Sequence, residues 1–386
     1  MGITTPTPIQ AAALPPLLAL RDVIGQARTG SGKTLAFGIP ALERVDARDR
    51  AVQVLVLTPT RELAVQVAGV LTELGRSRAI GVAQIFGGRP MGAQRERLRR
   101  GPAIVVGTPG RVLDFLRQGV LRLDALRLLV LDEADEMLDM GFAPDVTRIL
   151  DATPRTRQTA LFSATVPDWV RNTSRRYLKE PVHVSVDPRP EDAAPVEHIA
   201  YDVGEGGKMA ALRDLLDQRG DDSILVFGRT KHGVRKLARQ LLEAGYPVEA
   251  LQGNLSQSKR DRVMDSFRAG RVKILVATNV AARGIDVSTI TQVINYELPE
   301  SAALLTHRIG RTGRMGRKGQ AITLLSPGDS IKWRDLEKGA QRRIPRAPWP
   351  GARAALEATP ESVLATVPQR PLARPRVVFA GRRRRR

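Results

Sequence analysis

Asp22-Val23-Ile24-Gly25-Gln26-Ala27-Arg28-Thr29-Gly30-Ser31-Gly32-Lys33-Thr34 reads as a short apolar strand feeding a loop of small residues. Lys33 and Thr34 then open a helical pattern that continues through Leu35, Phe37 and Leu42. Gly30 and Gly32 let the loop backbone approach an oxyanion and turn N–H groups toward it, and the positive end of the helix adds to the pull. Lys33 offers a mobile charge to outer phosphates, and Thr34 a hydroxyl to a magnesium ion. The strict spelling of such a loop has glycine where this chain has Ala27. A flexible turn before a surface helix accounts for the glycines, but not for strand, loop, Gly-Lys-Thr and helix in that order.

Downstream, the chain repeats one rhythm. Val52 to Thr58 is a nearly continuous apolar run, as in a parallel strand covered on both faces, and it ends in Pro59-Thr60-Arg61-Glu62. Ile80 to Phe86 ends in Gly87-Gly88, and Ala103 to Gly107 in Thr108-Pro109-Gly110-Arg111. Open α/β sheets bind ligands at the carboxyl ends of their strands. Arg61 and Arg111 suit nucleic-acid phosphates, Thr60 and Thr108 can donate hydrogen bonds, and the glycines allow close approach. Leu128 to Leu131 runs into Asp132-Glu133-Ala134-Asp135. Asp132 there can hold magnesium directly or through water, and Glu133 can orient and deprotonate an attacking water. Gln158 to Phe162 leads to Ser163-Ala164-Thr165, two hydroxyls placed to link the acidic loop to the rest of the site. At the N-terminus Thr7 and Gln10 sit at a helix start, where Gln10 can read an adenine edge or simply cap the helix.

Asp187 to Pro195 is rich in Pro, Asp and Glu and reads as a linker. A second βα series follows, with strands at Ile224 to Phe227, Val248 to Leu251, Val272 to Ala277, Val293 to Tyr296 and Ala321 to Leu325. Its strand-end loops carry Arg229 and Thr230, Gln257 and Arg260, Thr278 and Asn279, and finally His307-Arg308-Ile309-Gly310-Arg311-Thr312-Gly313-Arg314. Arginines at every third position beside glycines call for anions nearby rather than core packing. Arg311 and Arg314 are expected to reach across the cleft and stabilise transition-state charge. The fold class is therefore α/β, with two tandem domains containing parallel sheets and a basic disordered tail. The boundaries read 1–188, a linker 189–197, 198–345 and a tail 346–386.

Composition narrows the partners. The 386 residues carry 61 Lys and Arg against 40 Asp and Glu, a formal charge of +21, with 42% hydrophobic residues. A surplus of that size favours polyanions. Neither a signal peptide nor a run of 18 apolar residues is apparent, so no membrane is expected. There is no cysteine and there are only four histidines, which removes thiol chemistry and cysteine-based zinc sites and fits a reducing, cytoplasmic setting. Residues 331–386 hold 15 Lys and Arg against 4 Asp and Glu, and Arg382 to Arg386 read as an arm for nucleic acid. No heptad or strand edge argues for an oligomer.

Together these segments resemble the DEAD-box family of ATP-dependent RNA helicases over roughly residues 1–330. Pro6 to Gln10 looks like the adenine-reading segment, Ala27 to Thr34 like the phosphate loop, and Asp132 to Asp135 spells the family's name. Pro59 to Ala64, Gly87-Gly88 and Thr108 to Arg111 look like RNA-contacting motifs. Ser163 to Thr165 and His307 to Arg314 look like the coupling and final arginine motifs. The resemblance implies that the two tandem domains are RecA-like, with ATP and Mg2+ as cofactors and RNA gripped by its backbone, and that they close to separate short duplexes or remodel ribonucleoprotein, ribosomal or decay particles among them. It implies nucleotide contacts from Thr7, Gln10, Ala27, Arg28, Thr29, Gly30, Ser31, Gly32, Lys33, Thr34, Asp132, Gly284 and Asp286, and catalysis by Lys33, Glu133, Arg311 and Arg314. RNA contacts fall on Pro59, Thr60, Arg61, Gly87, Gly88, Thr108, Pro109, Gly110, Arg111, Arg229, Thr230, Gln257, Arg260 and Thr278. Coupling falls on Asp135, Ser163, Thr165 and His307, and the metal on Thr34 and Asp132. The chain departs from the pattern at three places. Only nine residues precede Gln10, where the family carries an upstream aromatic against adenine, which implies a late start or weaker adenine binding. Arg28 replaces a common glutamine, and Asn279 a usual aspartate, which implies a weaker closed state. A passive RNA clamp and a DNA-directed translocase of the same architecture are the competing functions.

Overall fold

Alternate residues of one strand enter two different cores. Val54 and Val56 pack into one cluster with Phe37, Val67 and Phe162, whereas Leu55 and Leu57 join Phe115, Leu131 and Ile149. Such a strand has no solvent face, which is why its sequence is apolar throughout. Burying one leucine like Leu55 contributes roughly 1.5–3 kcal/mol, so a charged residue there would break the sheet. The same division recurs after residue 196, with Ile224 and Val226 on one face and Leu225 and Phe227 on the other.

The computed structural model describes residues 3–27, 30–186, 196–282, 289–313, 318–340 and 342–350. Its strands are β1 Val23–Gln26, β2 Val54–Leu57, β3 Val82–Ile85, β4 Ile104–Gly107, β5 Leu128–Leu131, β6 Gln158–Ser163 and β7 Val182–Ser185, then β8 Val196–Asp202, β9 Ser223–Gly228, β10 Val248–Leu251, β11 Ile274–Thr278, β12 Ile290–Asn295, β13 Gly319–Leu325 and β14 Arg346–Pro348. They form two seven-stranded sheets, ordered β3-β4-β2-β5-β6-β1-β7 and β10-β11-β9-β12-β13-β8-β14. Every pairing is parallel. The carboxyl ends of each sheet therefore share one edge, and the polar loops read from the sequence lie along it. None of the described helices is long and apolar enough to cross a membrane.

Two elements depart from the sequence reading. β8 begins at Val196, paired with Gly319, so the second domain starts inside the stretch read as linker. Its alternation, Val-Glu-His-Ile-Ala-Tyr-Asp, hides a strand flanked on both sides by others. Beyond it, Arg346–Pro348 pairs with β8 instead of starting a tail. Arg346 grips Asp202 with two bonds of 2.7 and 2.6 Å, and Trp349 stands edge-on to Tyr201 at 4.9 Å. Between them the helix Ser330–Gly339 buries Trp333 and Leu336 against Leu305 and Leu325. Charged flanks concealed these few apolar anchors. The arginine-rich end lies outside the described residues.

Candidate active site and nucleic-acid interface

The phosphate loop keeps the geometry its glycines imply. Gly30 and Gly32 have φ of 84° and 94°, the left-handed region that glycine adopts without strain. At Gly32 a Cβ would also lie 2.6 Å from Gln10 Nε2 and 2.9 Å from Thr7 Oγ1, so the N-terminal helix sits directly on the loop. Gln10 makes this seat: Nε2 donates to Gly32 O at 3.0 Å, and Oε1 accepts from Thr7 N at 2.9 Å. Thr7 and Gln10 thus form a capping box, and one amide hydrogen of Gln10 remains for a ligand. Lys33 is buried at the start of the helix Lys33–Glu43 and donates to Ala27 O at 2.9 Å. Arg28 and Thr29 lie outside the described residues.

β5 ends beside this loop. Asp132 is 2% exposed, and its Oδ1 has no partner among the described residues. Burial pushes its carboxyl up to about 7, against the pull of Lys33, and Glu133 adds to the rise. A buried carboxylate oxygen without a partner, beside a lysine, fits a divalent cation, whose charge would restore the ionised form. Glu133 is held at φ 55°, ψ 55°, a left-handed conformation in a non-glycine residue. Such strain is found at functional sites; here it turns the chain sharply from β5 into the helix Ala134–Asp139.

The coupling residues meet as read. Asp135 Oδ2 accepts from Thr165 N and Oγ1, both at 2.8 Å, and Asp135 N donates to Ser163 Oγ at 3.2 Å. Ala27 N donates to Ser163 O at 3.1 Å. The acidic loop is thereby hydrogen-bonded to the end of β6, and β6 to the phosphate loop.

Across the cleft, the helix Ala302–Ile309 presents its motif to this loop. His307 Nδ1 lies 2.5 Å from Glu136 Oε1. Burial alone would lower the imidazole's pKa, but the hydrogen bond and charge of Glu136, with Asp135 behind it, outweigh burial and the opposing Arg311 and raise it. Arg311 is buried and lines the same narrow gap as Glu136 and His307. Arg308 corrects the expectation that all three arginines face anions. It is 2% exposed and lies 4.8 Å over the Phe227 ring. Its Nε donates to Asn279 Oδ1 at 2.6 Å, and Nη1 to Asn295 Oδ1 at 3.0 Å and Glu297 O at 2.6 Å. It is a core strut of the second domain. Arg314, Gly284 and Asp286 lie outside the described residues.

The nucleic-acid edge is also a clasp between domains. Arg61 Nη1 donates to Gln257 Oε1 at 2.6 Å, Glu62 pairs with Arg260, and Arg89 meets Asp261 at 2.9 Å. Arg260 Nη2 also donates to Ala281 O at 2.5 Å. Gln257 and Arg260, read as RNA contacts, also bind the opposite domain. Gly88, at φ 76°, leaves the room Arg61 occupies, since a Cβ there would overlap the guanidinium. Thr60 and Thr230 cap the helices Arg61–Gly75 and Lys231–Glu243, and Thr278 Oγ1 accepts from Ala281 N at 3.4 Å. Arg111 donates to Arg89 O at 3.2 Å. Pro59, Thr108, Pro109 and the exposed Arg229 stand at strand ends as read, and at Gly110 the nearest atom to an added Cβ would be Asp145 Oδ2 at 3.8 Å. Sequence reasoning missed Glu62, Glu136, Arg89 and Asp261, because a partner 170 or more residues away leaves no local signal.

The sequence profile described as "DEAD/DEAH box helicase" matches residues 7–173, and that described as "Helicase conserved C-terminal domain" matches residues 207–316. A Bacillus cereus protein named DEAD-box ATP-dependent RNA helicase CshA is 43% identical over 92% of this chain and 68% of its own length. Saccharomyces cerevisiae Dbp5 bound to RNA and ADP BeF3 superposes with a TM-score of 0.79 at 33% identity, covering 91% of this chain and 92% of that one. A Dbp5 variant bound to Nup159, Gle1, IP6 and ADP reaches only 0.60, at 32% identity over 94% and 96% of the two chains.

Proposed function

This chain belongs to the DEAD-box family of ATP-dependent RNA helicases, and we propose that its domains close over ATP, magnesium and one RNA strand, coupling hydrolysis to local strand separation. The observation that carries the reading is the contact of His307 with Glu136, which brings the arginine motif against the acidic loop. Lys33 and the N–H groups of the glycine loop bind the phosphates, while Thr34 and Asp132 hold the metal. Magnesium supplies charge that offsets the negative charge developing on the transferred phosphoryl group. Glu133 orients water and accepts its proton, and Arg311, with Arg314, stabilises the departing charge. Thr7 and Gln10 bind the adenine.

RNA lies along Arg61, Gly88, Arg111 and Arg229, held by its phosphates. Bending follows from closure, because Arg61 and Glu62 engage Gln257 and Arg260 only when the two edges meet. The positive charge supports a role on structured RNA or ribonucleoprotein, and we propose the cytoplasm as its setting. The test is ATP hydrolysis by the purified chain with and without single-stranded RNA. Stimulation by RNA that DNA cannot replace, lost in Glu133→Gln, is expected; RNA-independent turnover, or none, would overturn the coupling.

A further inference from the structure

A cavity of about 290 Å3 opens at the carboxyl edge of the second sheet, apart from the nucleotide site. β9, β12 and β13 end side by side there. Their loops supply Arg229, then Tyr296 and Glu297, then Ser326, and Lys332 lines the cavity from the helix that follows. Both acids on its wall are engaged. Asp329 meets Lys208 at 2.7 Å, and Glu297 Oε2 accepts from Arg229 N at 2.6 Å. Burial alone would raise the Asp329 carboxyl, but Lys208 and Ser326 hold it below its usual range, so it stays ionised. Among the described residues, neither the Arg229 guanidinium nor the Lys332 ammonium has a partner.

We propose that this cavity receives one further ribonucleotide of the RNA strand as it runs on past the cleft. This rests on the RNA-binding reading above. The candidate RNA loops of this domain end β10, β11 and β9, and the sheet order continues directly to β12 and β13. The cavity begins at Arg229, where the row of candidate RNA loops ends. It spans two strand spacings, about 10 Å, a distance one nucleotide can fill. Its chemistry is mixed in the way a nucleotide requires. Arg229 and Lys332 take phosphate oxygens. Glu297, Asp329 and Ser326 accept from ribose hydroxyls or base amino groups, and the half-buried Tyr296 offers a ring for stacking.

The test compares six- and ten-nucleotide single-stranded RNAs binding the full chain with Mg2+ and a non-hydrolysable ATP analogue. Lys332→Gln removes one cation of the cavity. Arg334→Gln, on the same helix but outside the lining, is the control. Lys332→Gln is expected to weaken the ten-mer about fivefold and the six-mer less than twofold. It also lowers the ten-mer's salt slope by roughly 0.7, the share of one phosphate contact on a single strand. Arg334→Gln changes neither length more than twofold. Equal weakening of both lengths, no weakening of either, or the same loss in Arg334→Gln would overturn the proposal. Failure of the wild-type chain to bind the six-mer would instead overturn the RNA reading of the cleft, and the cavity proposal with it.

Discussion

Severing the Glu62–Arg260 pair is expected to open the cleft without unfolding either domain. The two side chains are 12% and 13% exposed and come from different domains, so closure desolvates both. Removing one partner of a fully buried pair costs roughly 3–5 kcal/mol, because the other charge is stranded. Residual exposure here places Glu62→Gln nearer 2–3 kcal/mol, by the order of magnitude for a charged hydrogen bond. That corresponds to about 30- to 150-fold in the closure equilibrium, and closure is part of the apparent RNA affinity. RNA binding with an ATP analogue should weaken by that factor, while nucleotide binding without RNA is unchanged. Glu62 also sits in the first turn of the helix Arg61–Gly75, where an acid favours the helix by itself, and Arg260 has a second partner in Ala281 O. A cycle of Glu62→Gln, Arg260→Gln and the double variant cancels both side effects. A coupling below about 0.5 kcal/mol, or single variants that bind RNA like the wild type, would refute the reasoning.

Three further perturbations probe other parts of the chain. His307 has its pKa raised by Glu136 across the cleft. Closure therefore takes up a proton, its stabilisation is full below the ordinary histidine value and is lost as pH rises through the raised one, and His307→Gln should flatten this fall in RNA-stimulated ATPase. His198, buried beside Thr323 and Trp333, is pushed down to about 4 by burial, with a smaller push from Arg342. The unfolded chain binds the extra proton between pH 6.5 and 4, so stability of the second domain should fall by roughly 3 kcal/mol on acidification across that window, read by urea denaturation, and less in His198→Gln. Asn279→Asp turns a neutral acceptor of Arg308 into a charged one; kcat/KM for RNA-stimulated turnover should rise several-fold, and an unchanged or lower value counts against this role.

How much was legible in the sequence follows from the range of each interaction. Strands such as β2, β4 and β5 announce themselves because both faces are buried and every residue is apolar. The phosphate loop announces itself because left-handed backbone at Gly30 and Gly32 demands glycine. Parallel pairing then forces all carboxyl ends to one edge, so the candidate residues are gathered there before any coordinate is known. β8 and β14 escaped because a strand covered by a few long-range anchors, such as Trp349 against Tyr201, needs no apolar run of its own.

Tertiary structure alone decided which polar residues face each other. The spacing of Arg308, Arg311 and Arg314 is uniform, yet Arg308 is spent inside the domain on Asn279, Asn295 and Glu297. Gln257 and Arg260 carry the same chemistry as a phosphate ligand, and become a clasp only because closure sets Arg61 and Glu62 opposite them. A sequence fixes the chemistry and local geometry of each loop, since these depend on neighbours along the chain. The partner of a charge depends on which surfaces meet in space, and residues about 200 positions apart, as Glu62 and Arg260 are, meet only through the packing of two domains.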